Sequence, residues 1–148
     1  LATTKTPMGL PPAPTAALID LPLSDLERII GRSGKANGVV YQFAIPRAEK
    51  ITEHEMEIPS SMGLATAINF QPTGNGRAAI TGDFVLIGAE VNPVIRALRT
   101  GGIAVTALHS HMLEEKPRLF FMHFWANNDA KKLATALRSA LDRMHIKK

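Results

Sequence analysis

The stretch at residues 63–87, GLATAINFQPTGNGRAAITGDFVLI, decides the fold. Two apolar runs flank the turn sequence PTGNG, and this arrangement is typical of an antiparallel hairpin. Gly82 interrupts the second run, which indicates a bulge or a close approach of another backbone at that position. The stretch therefore predicts two adjacent strands, at 63–71 and 77–87.

The remaining strands are predicted from runs rich in β-branched and aromatic residues or from alternation of apolar and polar residues. Two of these runs precede the hairpin and two follow it, at 38–45, 51–58, 103–113 and 118–125. Few helical segments separate these strands. The order of the elements therefore predicts an α+β domain with a mainly antiparallel sheet of about six strands and about three helices packed on one face.

Three helices complete this prediction. The first is expected at 23–31. The second is expected to begin with Asn92 as its cap and Pro93 in its first turn, where the missing N–H costs nothing. The third is expected to begin at Asn127 or Asn128, because apolar residues then recur every three or four positions.

The length of 148 residues fits one domain. We expect this domain at 22–148, after an extended arm rich in Pro, Thr and Ala at 1–21. No run approaches the roughly 18 apolar residues of a membrane-spanning helix, so no transmembrane segment is predicted. The absence of cysteine excludes disulfides, thiolate metal sites and cysteine nucleophiles.

The net charge of +4 comes from basic residues that are scattered along the chain. Proteins that bind nucleic acid usually cluster Lys and Arg, often with aromatic side chains between them. No such cluster is present, and we therefore predict no nucleic-acid partner.

Three of the five histidines lie in the stretch at 106–125, TALHSHMLEEKPRLFFMHFW. Alternate residues of a strand share a face, so His109 and His111 are expected on one face of their strand. If His109 pairs opposite His123 in the next strand, all three imidazoles converge. A shift of one residue in the pairing would send His123 to the other face.

Three converging imidazoles are a candidate site for a divalent metal such as zinc, with one coordination position left open. Glu114 or Glu115 is the candidate catalytic residue for proton transfer. Asp83 and Glu90 are further candidates for binding a ligand or the metal, and Arg118 is a candidate for binding an anionic ligand.

Each of these residues also has a purely structural interpretation. Asp83 could satisfy a turn or bulge, Glu90 could interact with a helix dipole, and Arg118 could simply end a strand. The histidines themselves could hydrogen-bond their neighbours on a half-exposed sheet face. They could also line a pocket for a small molecule or glycan that needs no metal.

The chain resembles the bacterial LppY/LpqO family in short motifs that extend over roughly 23–141. These motifs are Ile45-Pro46-Arg47, Met62-Gly63, Thr81-Gly82-Asp83, Glu90-Val91-Asn92-Pro93-Val94, Ala107-Leu108-His109-Ser110-His111-Met112, Pro117-Arg118 and Phe121-Met122-His123. The resemblance implies an exported protein, periplasmic, secreted or attached to the envelope. Family members often carry two copies of the domain, so the single copy here implies that two chains could pair as a homodimer. The resemblance implies no catalytic residue.

Taken together, the residues and the resemblance favour an exported domain that binds a metal through three histidines and supports hydrolytic or lyase chemistry. The alternative is a non-enzymatic module of the cell envelope that binds a glycan, a small ligand or a protein partner.

Overall fold

A six-stranded antiparallel sheet forms the centre of the structure, a computed structural model that describes residues 19–148. The strands of the main sheet are β1 (Lys35–Asn37), β2 (Val40–Pro46), β5 (Ala65–Gly74), β6 (Arg77–Ile87), β7 (Ala104–His109) and β8 (Leu119–Asp129). A separate small sheet holds β3 (Ile51–Glu53) and β4 (Met56–Ile58). In space the main sheet has the order β1-β2-β5-β6-β8-β7, and every neighbouring pair is antiparallel.

The main core lies between this sheet and three helices, α1 (Leu23–Ile30), α2 (Gly88–Thr100) and α3 (Ala130–Leu141). Each helix presents an apolar stripe, such as Leu133, Leu137 and Leu141 of α3, to alternate apolar residues of the strands. A smaller apolar cluster lies outside this main core and includes Ile51 and Phe121. The predicted α+β class, with six strands and three helices, is confirmed.

The predicted arm at 1–21 lies mostly outside the described residues. Of its last three residues, Ile19 and Leu21 pack against the main core. Within 19–148, no helix combines the length and apolar composition needed to cross a bilayer.

The hairpin expected at 63–87 is present as β5 and β6. Its strands pair in a register that includes Phe70 opposite Ile80. The turn is closed by Asn75 and Gly76, which have φ angles of 54° and 70°. Asparagine and glycine tolerate this left-handed conformation better than other residues, which explains why the turn could be predicted from the sequence.

The single strand predicted at 51–58 is wrong. This segment folds on itself as the two-residue hairpin β3–β4, with His54 and Glu55 at φ angles of 46° and 67°. Neither residue is glycine or asparagine, so no turn signal marks the reversal. The short edge strand β1 was also not predicted.

The predicted caps of two helices are wrong, by five residues for α2 and by one or two residues for α3. Helix α2 begins at Gly88, where the Glu90 carboxylate accepts a hydrogen bond from the Ile87 N–H at 3.0 Å, and Pro93 lies inside the helix. Helix α3 begins after Asp129, whose carboxylate accepts from the Lys132 N–H at 2.9 Å. In both cases a nearby carboxylate satisfies a free amide of the first turn.

One buried ion pair connects the end of β2 to the start of α2. The Arg47 guanidinium donates to the Glu90 carboxylate at 2.6 and 3.1 Å and to the Val85 carbonyl at 2.8 Å. Glu90 also accepts from the His145 N–H at 2.8 Å, which ties the C-terminal segment to the same pair. Glu90 is therefore an anchor that holds three segments together.

Glu49 extends this network towards solvent and makes part of it sensitive to pH. Burial alone would raise the pKa of Glu49, but hydrogen bonds from Arg47, the backbone and His145, with the Arg47 charge, lower the pKa below 4.5. A lowered folded-state pKa means that the stabilisation is present above the unfolded-state pKa and is lost as the pH falls through the folded-state pKa.

We expect Glu49→Gln to reduce the free energy of unfolding at pH 7 more than at pH 3, as measured by urea denaturation. An equal effect at both pH values would contradict this assignment.

Candidate metal centre

The position of the histidines depends on how β7 pairs with β8. A bulge between Val105 and Ala107 shifts the register, so Ala107 lies opposite His123 and His109 lies opposite Phe121. The pairing considered above, with His109 opposite His123, is therefore not the one observed, because the partner of His109 lies two residues away on β8. Because directly opposed residues share a face, His109 and His123 still lie on the same face of the sheet.

The predicted convergence of the three histidines is confirmed. The ligand nitrogens of His109, His111 and His123 all lie within 4.8 Å of one another, on a partly exposed surface. The Nε2 atoms of His109 and His123 are 2.8 Å apart. We call the sheet face that carries these residues, opposite the helices, the histidine face.

The hydrogen bonds of the rings indicate their tautomers. His123 Nδ1 lies 3.3 Å from the Gly82 carbonyl oxygen, which can only accept, so Nδ1 carries the proton and Nε2 keeps its lone pair. Histidine ligands of metals commonly donate their second ring nitrogen to a backbone carbonyl in this way. His123 is thus oriented with its Nε2 lone pair directed towards the other two rings.

His111 reaches the cluster from a loop and not from a strand, because β7 ends at His109. Its ring stacks on Phe121 with a centroid distance of 3.5 Å and an interplanar angle of 9°. It also lies 4.9 Å from the His109 ring. Phe121 is a buried member of the smaller apolar cluster, and its ring face therefore positions His111.

The loop at 110–118 is held in place by polar contacts at its second half. Thr52 and Lys116 exchange two backbone hydrogen bonds of 2.9 Å, which fasten the loop to the β3–β4 hairpin. The buried Glu115 carboxylate accepts from the Leu119 N–H at 2.9 Å and from Arg118 at 3.3 Å. Arg118 also donates to the Met112 carbonyl at 3.2 Å.

The spacing of the three nitrogens can be compared with that required by a metal. Tetrahedral zinc with Zn–N bonds of about 2.0–2.1 Å separates two ligand nitrogens by about 3.3–3.4 Å. The His109–His123 separation of 2.8 Å is shorter than this, and the 4.8 Å limit of the group is longer. Binding of a metal would therefore require these rings to rotate, and His109 and His111 are exposed.

The electrostatics of the cluster favour an uncharged His111. Partial burial lowers the pKa of this imidazole, and charges on His109 and His123 lower it further, whereas Asp83 acts in the opposite direction. Metals bind the neutral form of histidine. The lowered pKa therefore keeps this ring available as a ligand at neutral pH.

Asp83 and Glu114 are the two remaining candidate carboxylates that are not buried. Asp83 lies directly opposite His123 in the β6–β8 pair, on the histidine face and close enough to affect the pKa of His111. Glu114 is exposed, and its carboxylate lies 3.5 Å from His54 Nδ1. Both residues were predicted from the sequence as candidate site residues. The strand register shows that Asp83 is the neighbour of the histidines.

Comparison with known proteins adds a family but no described activity. No curated protein and no solved structure matches the chain. A family model matches residues 24–143, which include α1 except for Leu23, the eight strands described above, α2, α3 and all three clustered histidines. The chain therefore belongs to the family described as Domain of Unknown Function (DUF1259).

Proposed function

We propose that His109, His111 and His123 bind one divalent metal ion such as zinc, and that this centre supports hydrolytic or lyase chemistry. The observation that carries the proposal is the convergence of three imidazole nitrogens within 4.8 Å, with His123 oriented by the Gly82 carbonyl. Three histidines leave a coordination position open, as in metal centres that act on a substrate. The exposure of the cluster gives a substrate access to it.

When bound, the metal would polarise a substrate oxygen or lower the pKa of a water molecule. Asp83 supports this chemistry as a proton acceptor, because its side chain neighbours His123 across the strands. The proton-transfer role assigned to Glu114 or Glu115 from the sequence stays a prediction. Both oxygens of the Glu115 carboxylate already accept hydrogen bonds within the loop.

Metal analysis of the protein, purified without a polyhistidine tag, tests the proposal. We expect about one equivalent of metal per chain. We expect His111→Ala to weaken metal binding by more than about 100-fold, since loss of one of three direct ligands costs more than loss of an outer-shell partner. The affinity is measured by competition with a chromogenic chelator. Absence of metal binding by the folded wild-type protein would overturn the proposal.

Two features of the chain make this experiment selective. His54→Ala removes an exposed histidine outside the cluster and should leave the affinity unchanged. Trp125, the only tryptophan, lies two residues from His123 on the same face, which places their Cα atoms about 7 Å apart. Binding of Cu²⁺ or Ni²⁺ should therefore quench Trp125 fluorescence in the wild type and in His54→Ala, but only weakly in His111→Ala.

A second candidate function is a non-enzymatic binding module of the cell envelope for a glycan, a small ligand or a protein partner. The half-exposed Trp125 beside the histidines favours it, because an aromatic ring exposed next to a polar site offers a stacking surface. Ligand binding without metal would favour this candidate over a metal enzyme.

We also propose that the chain is of the LppY/LpqO type and is exported, on the strength of the shared motifs around the histidines. Pairing of two chains as a homodimer stays a prediction from this resemblance. Analytical ultracentrifugation would test the pairing, and fractionation of cells that express the full gene would test export. A monomer at high micromolar concentration would contradict the homodimer.

A further inference from the structure

A row of uncharged polar side chains crosses the histidine face next to the histidines. Strand pairing aligns Gln42, Asn69, Thr81 and Trp125 on β2, β5, β6 and β8. We call these four residues the amide row. The neighbouring row, one step along the strands, contains Ala67, Asp83 and His123, so the two rows lie side by side.

The amide row is held rigid by its own hydrogen bonds. Gln42 Nε2 donates to Asn69 Oδ1 at 2.7 Å, and Asn69 Nδ2 donates to the Thr81 carbonyl at 3.2 Å. Asn37 Nδ2 completes the ladder by donating to Gln42 Oε1 at 3.0 Å. Each amide NH₂ carries two hydrogens, so each keeps one donor for a ligand. The ladder fixes the direction of these free groups before any ligand binds, which reduces the entropy cost of binding.

Trp125 ends the row with an exposed aromatic surface. About half of its surface is accessible, although most large apolar residues of β8 are buried. Its cross-strand neighbours are Thr81 and Ala104, two small residues that leave space around the indole. A flat apolar ring beside small residues can accept another flat ring of similar size.

The charge of the surface narrows the class of ligand. The amide row itself carries no charge, and the nearest cation in line with it is Lys35, opposite Gln42 at the sheet edge. Nucleic acid would require several cations to neutralise its phosphates. A ligand rich in hydroxyl groups, with apolar ring faces, satisfies both the fixed amides and the indole.

We infer that the amide row binds a neutral carbohydrate chain, with one sugar ring stacked on Trp125 and hydroxyl groups bonded to Asn69 and Gln42. The role of this carbohydrate as a substrate rests on the proposed function of the metal centre, whereas its binding does not. A sugar stacked on Trp125 brings the adjoining residue of the chain over His123, about 7 Å away, so a carbohydrate would be the substrate class of the metal centre.

Calorimetric titration with cellotetraose, chitotetraose and maltotetraose, each up to about 10 mM, tests this inference. The protein is used both with added Zn²⁺ and after treatment with EDTA. We expect at least one tetrasaccharide to bind in both conditions and to change the fluorescence of Trp125. Trp125→Ala should weaken binding about tenfold or more, and Trp125→Phe should keep most of it. Binding of none of the three sugars would overturn the inference.

A matched control separates the row from general changes to the sheet. Leu108→Ala removes an exposed apolar side chain that points to the helix face of the same strand pair, and it should leave sugar affinity unchanged. Equal affinity in Trp125→Ala and the wild type would also overturn the inference. Because the EDTA-treated protein contains no metal, sugar binding there is independent of the metal centre. Metal binding without sugar binding would contradict only this inference. Sugar binding without metal binding would contradict only the proposed metal enzyme.

Discussion

Replacing Glu90 with alanine is expected to lower the free energy of unfolding by about 3–5 kcal/mol, because it leaves the buried Arg47 charge without its main partner. The Arg47 side chain is only 1% exposed, so water cannot replace the lost carboxylate. The same change removes the acceptor of the Ile87 and His145 amides. For a domain of this size, the thermal midpoint should fall by about 10 °C or more, as measured by circular dichroism.

A surface ion pair of similar geometry provides the control for this prediction. Lys50 and Glu57 are 3.0 Å apart, but their side chains are 79% and 56% exposed. Exposed pairs contribute little, so Glu57→Ala should change the free energy of unfolding by less than about 1 kcal/mol. If Glu90→Ala and Glu57→Ala had equal effects, the buried pair would not be the anchor inferred above. The double variant Arg47→Met, Glu90→Leu should recover part of the loss, because no unpaired charge remains buried.

The sequence predicted those parts of the molecule whose signals are local. The hairpin at 63–87 has Asn75 and Gly76 in a conformation that suits these residue types, and α3 has a regular apolar repeat. The β3–β4 hairpin could not be predicted in the same way, because His54 and Glu55 adopt positive φ angles that neither residue type favours. Tertiary contacts with the loop at 110–118 hold that hairpin in place.

The histidine cluster shows how a correct prediction can rest on partly wrong geometry. Strand alternation, together with the assumed register, correctly placed His109 and His123 on one face. It also placed His111 on the same strand, whereas this residue lies beyond β7 and reaches the cluster by stacking on Phe121. The bulge near Thr106 was not visible in the sequence either, since no glycine marks it. The register of the strands and the path of the loop depend on long-range packing, which cannot be predicted from the periodicity of apolar residues.

Gly82 links the fold to the metal centre, and Gly82→Ala is expected to disrupt both. A β-carbon at this position would overlap the Ala67 carbonyl oxygen of β5 and would lie 2.9 Å from its carbonyl carbon and 3.0 Å from Phe124 Cζ. A backbone carbonyl cannot move aside without separating β5 from β6. We expect the free energy of unfolding to fall by about 4 kcal/mol, measured by urea denaturation. This close approach is the feature that the glycine within the second apolar run predicted.

The same substitution should weaken metal binding in the fraction of Gly82→Ala that remains folded, because the Gly82 carbonyl orients His123 through its Nδ1 proton. Gly88→Ala is the matched control. A β-carbon there would meet only Phe120 Cε2, at an ordinary 3.7 Å, in the first turn of α2. That variant should be as stable as the wild type, or slightly more stable, since alanine is the better helix former. It should also bind metal normally. A Gly82→Ala protein with wild-type stability and metal affinity would show that β5 and β6 tolerate a side chain at this crossing, and that His123 does not depend on the carbonyl for its orientation.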